Sequence, residues 1–200
     1  MRRGGLFLLL ALLAGQTAAP ARAAPEGHLA SDHFEIRGHV PDAWLETASS
    51  LGEALYAELK AHFGREPPAE RLPVRLTLHP DRASFTRAAK DAGVRLSLRG
   101  LGGIIVWQTG DVHVELQRHP FATRRLIVHE LVHAFHHRIL GGRSLADVPF
   151  WYREGLAEHF GWHVQRGRKW RFGDYRALAM RHRPASVALK VTAGDIDPWK

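Results

Sequence analysis

Apolar residues recur along this chain at spacings that alternate between strand and helix. Phe34-Glu35-Ile36-Arg37 alternates apolar and polar side chains, as a half-buried strand does. From Ala43 to Phe63 the apolar positions Trp44, Leu45, Leu51, Leu55, Leu59 and Phe63 follow a helical period. Gly64 closes that helix and Pro67-Pro68 bars its continuation. Val74 to Leu78 alternates again, and Asp81 to Ala92 reads as a helix capped near Pro80-Asp81. Two strand-like runs follow, Ile104 to Gln108 and Val112 to Leu116, joined by Thr109-Gly110-Asp111. Pro120 then opens a helix that runs to about Leu140, where Gly141-Gly142 stops it. The order of elements predicts an α+β domain with a small mixed sheet.

The helix from Pro120 carries the chemistry. His129-Glu130-Leu131-Val132-His133 sets two imidazoles one turn apart, and residues i and i+4 share a face, so both can reach one cation. Glu130 is rotated by about 100° from His129, which places its carboxylate beside the cation without making it a ligand. That arrangement suits metal-assisted hydrolysis, with the carboxylate as general base. Leu126, His129, Glu130, His133 and His137 are expected to line a cleft. Ile127, Val128, Leu131, Val132 and Phe135 occupy the arc that anchors the helix. His136 and His137, near the helix C-terminus, are expected to meet the helix dipole or solvent rather than the metal. A third histidine six residues after His133 would extend the motif, but Ile139 stands there.

A third ligand is available downstream, in Trp151-Tyr152-Arg153-Glu154-Gly155-Leu156-Ala157-Glu158. Glu154 and Glu158 are four apart and share a helical face. Two histidines and Glu154 would leave a fourth coordination position open, as a catalytic zinc site requires. Glu158, one turn on, is placed to accept the free N–H of a ligating histidine.

His-Glu-Leu-Val-His followed by Trp-x-x-Glu-Gly-x-Ala-Glu resembles the gluzincin metallopeptidases, in particular the bacterial peptidase MA-like proteins. The resemblance covers Val128 to Phe160. It implies a zincin-like domain whose active-site helix carries the first motif and whose following helix carries the third ligand. It further implies His129, His133 and Glu154 as ligands of one Zn2+ per chain, Glu130 as general base, and a peptide or protein as substrate. Twenty residues separate His133 from Glu154, compatible with the variable spacer of that group. In zincins the edge strand before the metal helix pairs with the substrate backbone, which assigns that role to residues 112–116. The oxyanion needs a stabiliser besides zinc; Tyr152, His159, His163 and Tyr175 are the candidates, and the sequence does not choose among them. Proteins of this type continue into a helical subdomain, whereas only forty residues follow Phe160. The expectation is a compact or C-terminally truncated domain over residues 24–200, partly covered by the Arg-rich tail from Arg166 to Arg183.

The N-terminus reads as a removable export signal. Arg2 and Arg3 precede the apolar run Leu6 to Leu13, and Ala21-Arg22-Ala23 forms a cleavage site, so residues 1–23 are expected to be a signal peptide. The run is too short to span a bilayer, so no stable membrane span is expected after cleavage. The mature chain is expected to be periplasmic or extracellular, in a bacterium. Removing the leader takes away three cations (Arg2, Arg3 and Arg22) and no acid, lowering the formal charge of +8 to +5. The chain has no cysteine, which excludes disulfides, thiolate ligands and a thiol nucleophile. Gln165 to Arg171 is densely basic, but no nucleic-acid-binding motif accompanies it and no nucleic-acid partner is expected. Two other function classes stay open: a catalytically silent metal-binding envelope protein, and a basic module that binds anionic cell-wall polymers.

Overall fold

The computed structural model describes residues 25–140 and 148–175. The proposed leader, the Gly141-Gly142 stop and the tail beyond Tyr175 lie outside them. Five strands form one mixed sheet: β1 (Gly27–Ala30), β2 (Phe34–Gly38), β3 (Val74–His79), β4 (Gly103–Val106) and β5 (Asp111–Glu115), in the order β1-β2-β3-β5-β4. The central β2, β3 and β5 run parallel, while β1 and β4 flank them antiparallel. Parallel neighbours require long connections. Helix α1 (Asp42–Phe63) supplies the one between β2 and β3, and α2 (Arg82–Asp91) lies within the one between β3 and β5.

The sequence periods account for these elements. In α1 the residues Leu45, Ala48, Leu51, Leu55 and Leu59 are buried at helical spacing, and Gly64 ends the helix with φ +64°, a conformation that costs glycine little. Asp81 caps α2 by accepting a hydrogen bond from the Ser84 backbone N–H at 2.8 Å. Along β4 and β5 successive side chains point to opposite faces. Ile105, Val112 and Val114 therefore join the main core with α1 and α3 (Pro120–Leu140), whereas Ile104 joins Phe85 and Ala89 in a small cluster under α2. Helix α4 (Phe150–Gly161) packs on α3. A hairpin of β6 (His163–Arg166) and β7 (Lys169–Phe172) turns at Gly167. Its Trp170 and Phe172 pack on the main core, and the Trp170 indole N–H donates to Ser50 of α1 at 3.0 Å.

The sheet order corrects one expectation. The sequence places residues 112–116 at the substrate-pairing edge, but β5 lies between β3 and β4 with both of its sides hydrogen-bonded. Alternation along a strand reports which face a side chain takes, not whether a neighbouring strand is present. The polar set Asp111, His113 and Glu115 occupies the face on which α2 packs, and the outer strand is β4.

Candidate metal centre

Helix α3 holds its two motif histidines by burying the opposite arc. Ile127, Val128, Leu131, Val132, Ala134 and Phe135 are each no more than 3% exposed, as the anchoring arc requires. Helix α4 is shorter and docks through Leu156, Ala157 and Phe160. That docking turns Glu154 and Glu158 toward the histidines.

Three donor atoms converge. His129 Nε2 and His133 Nε2 stand 3.2 Å apart. The Glu154 carboxylate lies 3.4 Å from the first and 3.6 Å from the second. His129, His133 and Glu154 thus form a group that could hold a metal ion, with ligand atoms within 4.8 Å of one another. Donors at about 2.0–2.1 Å from a tetrahedral cation stand about 3.3–3.4 Å apart, so the triangle has the size such an ion needs. Two imidazole nitrogens facing each other gain nothing while both are unprotonated lone pairs, and a cation between them removes that conflict.

The surrounding charges favour the same outcome. The Glu158 carboxylate lies 3.4 Å from His129 Nδ1 and is also ion-paired to Arg125. The His129 contact holds the Glu158 carboxyl down to about 2, with burial opposing and Arg125 adding to the depression. The His133 contact holds Glu154 below the usual carboxylate range, again against burial. Burial alone would lower His129, but the hydrogen bond to Glu158 and the charges of Glu130, Glu158 and Glu154 outweigh it and raise the ring. The pocket therefore stabilises positive charge where the three donors meet.

Glu130 is not one of the donors. Its side chain is buried against β4, and burial pushes its carboxyl up, opposed by His129 and His133 and reinforced by Glu154. His133 Nδ1 is buried without a hydrogen-bond partner among the described residues, whereas His129 has Glu158. Arg125 escaped the sequence reading, although its position one turn before His129 was the available signal.

Two histidines of α3 depart from expectation. His136 does not protrude: it is 1% exposed, packed beside Phe63 of α1 and Tyr152 of α4, and burial pulls its pKa down to about 4. Helices α1 and α4 cover that arc of α3 from two sides. His137 is hydrogen-bonded through Nε2 to the Trp107 carbonyl at 2.9 Å, at the turn between β4 and β5, which draws it away from the cleft. Among the oxyanion candidates, His163 is buried at the start of β6, bonded to the Gly161 carbonyl and stacked on Phe121. Tyr152 packs on His136 and Trp151. His159 and Tyr175 hydrogen-bond each other at 3.0 Å, and the Tyr175 phenol is raised by burial and by the charge of Glu158.

Among the described residues, no helix is long and apolar enough to cross a membrane. No protein-family model, curated protein or solved structure matches the chain.

Proposed function

We propose that this chain is a zinc-dependent peptidase of the gluzincin type, built on a zincin-like domain. The observation that supports it best is the meeting of His129 Nε2, His133 Nε2 and a Glu154 oxygen, with Glu130 adjacent in sequence but outside the donor set. The donor chemistry fits the ion, because two imidazoles and one carboxylate are the ligands of open zinc sites. Zinc held there supplies Lewis acidity and a lowered pKa for water.

The chain's own residues do the rest. Glu130 takes the proton of the water that attacks the peptide carbonyl and delivers it to the departing nitrogen. Glu158, fixed by Arg125, accepts from His129 Nδ1 and sets the angle of that ring. Of the oxyanion candidates, Tyr175 is the one on which the charge of Glu158 acts, and it is hydrogen-bonded to His159. An extended substrate adds to the outer edge of β4, which no strand occupies among the described residues.

Zinc stoichiometry and chelator-sensitive cleavage of a peptide mixture, measured on residues 24–200, test the proposal. Wild type should bind one zinc and cleave. Glu130→Gln should keep the zinc and lose turnover by about 10²–10⁴-fold. Turnover retained by Glu130→Gln would overturn the assigned base. Zinc without cleavage would favour the silent metal-binding protein, and absence of zinc the basic module. Substrates N-methylated at successive backbone amides should lose affinity at alternate positions if β4 pairs with them. Equal tolerance at every position would remove β4 from that role.

A further inference from the structure

Gly103 sits on β4 directly against the arm of Glu130. A Cβ built on Gly103 would lie 2.7 Å from Glu130 Cγ, 2.9 Å from Oε1 and 3.1 Å from Cδ. The closest of these atoms is Cγ, one bond beyond the Cβ that the helix fixes. Rotating the carboxylate end leaves that contact in place. Gly103 does not have the positive φ that would itself call for glycine. The three heavy atoms nearest to its missing side chain all belong to Glu130.

We infer that Gly103 is a positioning residue that keeps open the seat of the Glu130 carboxylate, so that the edge strand and the base share one fixed geometry. Any side chain at this position must either turn the Glu130 arm or lift β4 from α3. Because β4 pairs with a strand on one side only among the described residues, it has less to hold it than β5. Either movement changes the distance between the base and the strand on which the substrate is proposed to lie. The catalytic half of this inference rests on the function proposed above, whereas its steric half does not.

A double-mutant cycle separates the two halves. Thermal unfolding is followed on zinc-saturated wild type, Gly103→Ala, Glu130→Ala and the double variant. Gly103→Ala alone should lower Tm by roughly 5 °C through overpacking. In the Glu130→Ala background, where Cγ, Cδ and both carboxylate oxygens are gone, the same methyl should cost nothing or raise Tm. A single variant that fails to fold beside a double variant that folds carries the same meaning. An equal Tm loss in both backgrounds overturns the steric half, because Glu130 would then not be what the methyl meets. In the peptide assay, Gly103→Ala should lower kcat about 100-fold with zinc stoichiometry unchanged. Unchanged kcat beside a positive cycle overturns the positioning role while leaving the seat intact. Wild type without turnover points to failure of the proposed function, and the Tm cycle still decides the seat.

Discussion

α3 and α4 bring donors to one point, but the protein holds them in different ways. α3 runs for 21 residues and buries a continuous arc against α1 and the sheet, so His129 and His133 stand on a support made by the main core. α4 has 12 residues, buries only Leu156, Ala157, Phe160 and Gly161, and leaves Phe150 and Trp151 largely exposed. Its tie at the site is the Glu158 carboxylate, shared between Arg125 and His129. The histidine pair therefore stands on a helix embedded in the main core, whereas Glu154 stands on a shorter helix that meets that core through fewer buried side chains. A metal held by His129, His133 and Glu154 would then depend on the packing of α4 more than on the stability of the whole domain.

Truncations on the two helices would break that comparison most directly. Ile127→Ala on α3 removes a fully buried side chain and should cost about 2–5 kcal/mol of global stability in denaturant titrations. Once folded and zinc-saturated, that variant should still bind one zinc with near wild-type affinity. Leu156→Ala on α4 should cost less in global stability, about 2 kcal/mol, yet weaken zinc binding in a chelator competition. If zinc affinity falls equally in both variants, the two helices are not held differently.

Acid should act next, through histidines that fold in the neutral form. His163 joins α4 to the hairpin, and burial pulls its pKa down to about 4 against the opposing hydrogen bond to the Gly161 carbonyl. Its Nε2 is buried with no hydrogen-bond partner among the described residues, so nothing there accepts from the N–H that a second proton would create. His79 of β3 is likewise pulled down to about 4 by burial, with His113 at 3.0 Å adding to the shift. A folded pKa below the unfolded value of about 6.5 means the unfolded chain binds the proton more readily. The stability contributed by each neutral ring is complete above about pH 6.5, declines as the pH falls, and is lost once the pH passes 4. Each should be worth about 3 kcal/mol at the extreme. His163→Phe should shift the acid-unfolding midpoint downward, measured by circular dichroism between pH 7 and 3. An unmoved midpoint would mean that ring does not report on how the α4 end is held.

Most of the fold is legible because burial writes a period into the chain. The α3 boundaries and those of α1 follow from Pro120, Gly64 and the spacing of apolar residues, and Glu154 with Glu158 lie on one helix as their spacing requires. What escaped has a common physical origin. The order of strands depends on partners far apart in sequence, so β5 looked like an edge although β4 occupies that place. β1 is only Gly27-His28-Leu29-Ala30 and carries no clear alternation. The hairpin β6–β7 is hidden in a run of cations whose charge says nothing about backbone pairing. His136 and Gly103 are defined by neighbours on α1, α4 and α3, and no local pattern encodes those contacts.

The smallest effect tests whether the site face of α4 is open. Gly155 follows the third donor, is exposed, and a Cβ there would meet nothing within 4 Å. Glycine inside a helix costs entropy that alanine does not, and no positive φ demands it here. Gly155→Ala should therefore stabilise the domain by about 0.4–1 kcal/mol, read as a small rise in Tm, with zinc stoichiometry unchanged. The informative readout is cleavage. If KM rises while Tm also rises, the empty space over Gly155 is where a substrate lies, and α4 gives up stability to keep it clear. If KM is unchanged, the glycine only loosens a helix that few buried side chains hold, and the contrast with α3 becomes sharper.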